Sequence, residues 1–289
     1  MSLGIIYALL ALIGWAFDDF FIGRTSKKIG TLPALFLLAC FGVLVLSPFA
    51  IPALPAHVPL SSASMGILLA LMIATSLAAL ADFEALRTGK LATIDPLYGF
   101  EIPLTSILAY VFLGDTLSWL QMCFIAFVLG GMLLVSVSSF RNVKSLRWER
   151  GVHFALLSVV FMGATNFLTG YTARAFTPIL ANWFSYLGLA LFCLILLVRS
   201  RRLSETIHAA KTHVVLIIAL GTADVIAWTS FAYSTTHIPI GITTAISEAY
   251  IALAVLLGVY LNKERLRTHQ WLGIAIIIVT ITALALSTT

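Results

Sequence analysis

Eight of the chain's twelve acidic residues lie within or at the edge of long apolar runs: Asp18, Asp19, Asp82, Glu84, Asp95, Glu101, Asp224 and Glu248. An Asp at the centre of a membrane-spanning helix costs about 2.5–3.5 kcal/mol on insertion scales. Acids kept in such places face a watery path, pair with a cation or exchange a proton. They are the residues with the most chemistry to offer.

Asp19 lies one helical turn beyond Trp15 and on the same face, with Phe20 and Phe21 beside it. A carboxylate next to an aromatic face receives an organic cation through charge and cation–π attraction. Asp18 points about 100° away, so the two acids cannot both face one pathway. Asp19 is the substrate-side candidate; the structural alternative is an Asp paired with Arg24 or Lys27 at the helix end. Tyr98, Glu101 and Thr105 recur at helical spacing between Pro96 and Pro103, where prolines free backbone carbonyls along a cavity. Glu248 and Tyr250 lie in a comparable later stretch. Asp224 is followed at helical spacing by Trp228 and Phe231, and Asn166 shares a face with Met162 and, one turn on, lies near Thr169-Gly170.

The expected substrate-binding set is therefore Trp15, Asp19, Tyr98, Glu101, Asn166, Asp224, Trp228, Glu248 and Tyr250. Asp19, Asp82 and Glu101 are the proton-coupling candidates. Glu84 and Arg87, at i,i+3, read as a structural pair. The six histidines fall near predicted span ends, and three scattered cysteines give neither a disulfide framework nor metal spacing. No catalytic residue, metal or cofactor is expected.

The elements that must position these residues are helices in a membrane. Of 289 residues, 61% are hydrophobic and 10% charged, with a mean hydropathy of +1.05. Soluble domains are about 45–50% apolar and about 25% charged. The net charge of +5 is accordingly read as loop charge placed by topology, with the bilayer rather than nucleic acid as partner. The opening Met1-Ser-Leu-Gly-Ile-Ile-Tyr lacks a basic n-region, so the first apolar run is expected to remain as a span. A helix needs about 20 apolar residues to cross the bilayer. That length predicts ten spans near 3–22, 32–51, 64–86, 91–112, 119–139, 151–174, 179–198, 213–233, 241–261 and 269–287. Pro52, Pro55 and Pro59 are expected to punctuate the connection between the second and third spans.

A shift of about 149 residues lays Gly114-Asp115-Thr-Leu117-Ser-Trp-Leu-Gln121 on Lys263-Glu264-Arg-Leu266-Arg-Thr-His-Gln270, and Gly14 on Gly163. The expected fold is an all-α membrane protein of ten transmembrane helices. Residues 1–140 and 151–289 form two five-helix repeats, joined by a basic linker at 141–150. Five spans per half is odd, so the halves insert in opposite orientation, with the substrate site near the midplane between them. All Lys and Arg except Arg174 fall on one side of this topology, which the positive-inside rule makes cytoplasmic, with both termini outside.

The stretch from Pro96 through Gly114-Asp115-Thr-Leu-Ser to Gln121 and its echo at Lys263-Glu264-Arg-Leu to Gln270 resemble the drug/metabolite transporter superfamily, EamA-type. Gly14-Trp15 in the first span fits the same pattern, as do Pro33 and Pro178 opening the second helix of each half. The resemblance covers nearly the whole chain and implies ten helices, a central cavity and ATP-independent transport of small metabolites. The chain departs from the family in lacking an Arg after each proline, in carrying Asp18-Asp19, and in its charge-based orientation.

Together these features predict a multi-pass inner-membrane transporter, chiefly an exporter, working by alternating access. An intramembrane carboxylate there would bind a substrate amine and a proton in competition, since desolvation penalises an uncompensated charge. The substrate is expected to be a small amine-containing or cationic molecule; exchange or facilitated passage of a neutral or anionic metabolite is the alternative. The chain has no H-E-x-x-H, no G-x-S-x-G and no large loop to support an intramembrane enzyme. A channel would need a lined pore rather than two packed repeats.

Overall fold

The computed structural model describes residues 2–58, 61–88, 97–136, 150–262 and 266–288. Asp95, Pro96, the basic stretch 141–149 and Lys263, Glu264 and Arg265 lie outside the described residues. Within them the chain is helical and forms no strand. The helices are α1 (Leu3–Ile29), α2 (Thr31–His57), α3 (Ser62–Thr88), α4 (Glu101–Leu113), α5 (Trp119–Ser136) and α6 (Arg150–Ala175). They continue as α7 (Pro178–Arg199), α8 (Leu203–Thr212), α9 (Val214–Thr235), α10 (Ile240–Glu248), α11 (Tyr250–Asn262) and α12 (Thr268–Ser287). Among the described residues, nine apolar spans are long enough to cross a membrane, the stretch Ile240–Leu257 of α10–α11 counting as one; α4 is a shorter apolar helix.

Three features differ from the sequence expectation. Pro52 and Pro55 do not end the second span: α2 continues to His57 with Pro48, Pro52 and Pro55 inside it. In a bilayer, leaving the helix would expose backbone groups to lipid, so proline is tolerated within it. The stretch 241–261 is not one helix but breaks at Ala249 between α10 and α11. The connection after α7 contains the short amphipathic α8, on the side that carries most of the Lys and Arg.

Helices pack mainly across the halves of the chain. The most extensive contacts are α3 with α6, α1 with α9, α5 with α12 and α2 with α7, followed by α3 with α7, α4 with α6, and α10 with α1 and α4. Close approach depends on glycine at several crossings. A Cβ on Gly14 would lie 2.7 Å from the Ala227 Cβ, and one on Gly42 2.5 Å from the Tyr186 ring. Glycine lets the backbones meet where lipid supplies no hydrophobic drive for association. Lipid solvates the outer faces, where Phe49, Phe127, Ile195 and Val279 are exposed.

The paired turns before α5 and α12 have identifiable physical roles. Gly114 takes the left-handed conformation, φ 67°, that ends α4. The Ser118 N–H donates to Gln121 Oε1 at 2.9 Å and the Gln121 N–H donates to Ser118 Oγ at 3.2 Å, a reciprocal cap that starts α5. In the second half the Arg267 N–H donates to Gln270 Oε1 at 3.0 Å, and Gln270 Nε2 reaches across to Val135 O at 2.9 Å. Leu117 and Leu266 pack against the same core cluster. Pro178 opens α7 behind Thr177, whose Oγ1 accepts from the Leu180 N–H at 3.1 Å.

Arg174, near the end of α6, is not a loop charge. Its Nη1 and Nη2 donate to Asp115 Oδ1 and Oδ2 at 2.7 and 3.0 Å, its Nε to Thr235 O at 2.6 Å, and Nη2 also to Ile238 O at 3.1 Å. The Ile240 N–H completes the network with a 3.0 Å bond to Asp115 Oδ2. One forked ion pair thus joins the α4–α5 turn, the end of α6 and the α9–α10 connection. We expect Arg174→Gln to lower unfolding free energy by about 1.5–3 kcal/mol, the range for hydrogen bonds to charged groups. In a double-mutant cycle on purified protein, adding Asp115→Asn should recover part of that loss; strictly additive losses would contradict the pairing.

Candidate functional site

The site is built where two stretches of helix are interrupted. Around Tyr98 the chain makes a turn at Gly99–Phe100, and α4 then begins at Glu101. In the second half α10 ends at Glu248, Ala249 forms the break and Tyr250 begins α11. An acid and a tyrosine therefore flank each interruption. Discontinuous helices near the midplane are a recurrent way to expose backbone and side-chain polarity to a bound solute.

The acids converge there. Glu101 lies within electrostatic reach of Glu248 and Asp82, and Glu248 within reach of Asp19 and Asp82. The Tyr98 hydroxyl lies near the Asp82 carboxylate, and Tyr250 lies among Asp19, Glu248, Asp82 and Glu101. Glu101 is 4% and Glu248 6% exposed, whereas Asp19 is open. Asp19, on α1, acts electrostatically on Glu248 and Tyr250 at the α10–α11 break. Asp82 is half-buried on α3.

Aromatic rings close one side of this cluster. Trp15 meets Trp228 edge-on at 5.1 Å between centroids, Phe231 at 5.5 Å and Tyr250 at 6.1 Å. Four rings from α1, α9 and α11 thus stand beside the carboxylates. The Trp228 carbonyl accepts from Asn182 Nδ2 of α7 at 3.0 Å, which fixes the α9 backbone at this level. Such a set of anions beside aromatic faces can hold an ammonium ion.

Trp15, Asp19, Tyr98, Glu101, Glu248, Tyr250 and Trp228 are brought together, as is Asp82. Asp224 and Asp18 meet on the neighbouring face of the α1–α9 contact. Asp224, 4% exposed, accepts a hydrogen bond from the Tyr186 hydroxyl of α7. Asn166 is fully buried on α6, and neither atom of its amide has a hydrogen-bond partner. Glu84 is half-buried on α3; the side chain of Arg87, its expected partner, lies outside the described residues. Sequence reasoning missed Tyr186 and Asn182. The i,i+4 spacing of Asn182 and Tyr186, with Ser185 beside them in a mostly apolar α7, was the available signal. No three His, Cys, Asp or Glu side chains among the described residues form a group that could hold a metal ion.

An amide buried without partners costs about 1–3 kcal/mol for each group left unsatisfied. If Asn166 serves a solute and not the fold, Asn166→Leu should raise the unfolding temperature of purified protein while reducing transport. A fall in stability with transport unchanged would assign it to the fold alone.

The sequence profile of the EamA-like transporter family matches residues 2–137 and again residues 149–286. A crystal structure described only as that of a protein shares this fold, with a TM-score of 0.74 and 13% identity over 99% of this chain and 97% of that one. Among curated proteins, none matches the chain. Matched twice over nearly its whole length, the chain belongs to the EamA-like transporter family.

Proposed function

We propose that this transporter is a secondary carrier, chiefly an exporter, of small amine-containing or cationic metabolites. It works by alternating access between two five-helix repeats, 1–140 and 151–289, that insert in opposite orientation to give ten spans. The observation that carries this reading is the convergence of Asp19, Asp82, Glu101 and Glu248 beside Trp15 and Tyr250 at two helix interruptions. The helix pairings support the repeat. Exchanging the halves turns α1–α9 into α6–α3 and leaves α2–α7, α5–α12 and α4–α10 as they are.

The substrate ammonium would be held by Glu101 and Glu248, with Asp19 at the open entrance, Trp15 and Trp228 against its carbon skeleton, and Asn166 and Asp224 on the adjoining walls. Protons would compete with it at Asp19, Asp82 and Glu101. The Asp115–Arg174 network seals the side bearing the termini, while Asp19 opens toward the side rich in Lys and Arg. By the positive-inside rule that rich side is cytoplasmic, in the inner membrane, and the termini are outside. Loading from the cytoplasmic side fits export.

Uptake of labelled amines into proteoliposomes tests the reading. Glu101→Gln should reduce flux by roughly thirtyfold or more, matching the 2 kcal/mol or more lost when a desolvated charge loses its partner. Asp19→Asn should have a smaller effect, because solvent screens an open carboxylate. Full activity in both variants would overturn the amine site. An epitope appended after Thr289 should be cleaved by protease added outside intact cells; protection would reverse the orientation.

A further inference from the structure

Asp18 is not explained by the amine site. It turns away from Asp19 and is buried, 5% exposed, where α1 crosses α9. The register of that crossing brings it to Asp224. Ser234 Oγ donates to Gly4 O at 2.8 Å, Tyr7 stacks on Tyr233 at 5.3 Å, and Gly14 abuts Ala227. One further turn along each antiparallel helix places Asp18 opposite Asp224, within hydrogen-bonding range. Asp18 Oδ1 is buried with no partner, while Asp224 Oδ2 accepts from the Tyr186 hydroxyl.

Among the described residues, the charged groups acting on Asp18 are acids: Asp224 on α9, Asp19 on its own helix and Asp82 on α3. Tyr186 on α7 faces the pair as a neutral donor. Arg24, further along α1, stands 3.8 Å over the Phe20 ring. Ionised carboxylates only accept hydrogen bonds, so two of them come into hydrogen-bonding range only when one carries a proton.

We propose that Asp18 and Asp224, braced by Tyr186, form a proton site that adjoins the amine site and is distinct from the carboxylates that hold the ammonium. One proton is shared between the two carboxyl groups while α1 and α9 are in contact. When the halves separate at this crossing, water reaches the pair, the proton leaves to water and two hydrated carboxylates remain. The Asp18-Asp19 dipeptide thus presents a proton site on one face of α1 and an entrance for substrate on the next, so that one movement of α1 acts on both. The coupling rests on the amine-transport reading, whereas the proton site itself does not.

Two measurements separate these parts. Infrared pH titration of lipid-reconstituted protein with carbon-13 aspartate carboxyls should show a protonated-carboxyl band that Asp18→Asn and Asp224→Asn each abolish and Asp19→Asn retains. Tyr186→Phe, a milder change, should displace its titration midpoint, and it stands in for either Asn variant that fails to fold. A band unchanged by these substitutions, or one displaced by sodium at constant pH, would overturn the proton site. In proteoliposomes, Asp18→Asn should keep counterflow of a labelled amine yet lose at least about tenfold of the accumulation driven by a pH gradient. Retained gradient-driven accumulation would overturn the coupling. Absence of amine counterflow in the unsubstituted protein would overturn the transport reading, with the infrared result still deciding the proton site.

Discussion

A carboxylate inside a bilayer must be compensated, and this structure does so in two ways. At the face bearing the termini the compensation is complete. Asp115 receives a forked guanidinium and a backbone N–H, and Arg174 also donates to two carbonyls. At the centre, Asp19, Asp82, Glu101 and Glu248 are brought near one another with hydroxyls and aromatic rings. The first arrangement secures the fold; the second gathers negative charge that suits a cationic solute or a proton.

The same contrast orders the helices. The rigid crossings are those where glycine admits a ring or a backbone, as at Gly42 against Tyr186 and Gly14 against Ala227. The interruptions at Gly99–Phe100 and Ala249 lie beside the central acids. Glu101, Glu248 and Tyr250 therefore sit at the ends of short helical pieces, while α1, α2, α6, α7 and α9 form the continuous frame around them. Joints next to the binding groups suit a carrier that must re-aim them between two faces.

Much of this was legible in the sequence, and the limits are physical. An acid in an apolar run announces itself through its cost, which is why Asp19, Glu101 and Glu248 could be named without coordinates. The spaced Asp115, Leu117 and Gln121 marked the repeated turn, but not what each side chain does there. Pairings across the bundle were not legible. Arg174 and Asp115 are 59 residues apart, and Tyr186 reaches Asp224 across 38. Proline in α2 misled because the rule that proline ends helices assumes water as the alternative partner. The break at Ala249 carries no signal, since alanine is the best helix former.

The central claim is that the converging acids receive a cation. Charge movement across proteoliposomes holding the purified protein, recorded while a mixed panel of amines and of neutral and anionic metabolites is applied at two pH values, addresses it most directly. A current evoked by amines and altered by pH is the predicted result. Silence to every amine, with a response to neutral or anionic solutes, would contradict the claim and leave the buried acids to the fold or to protons alone.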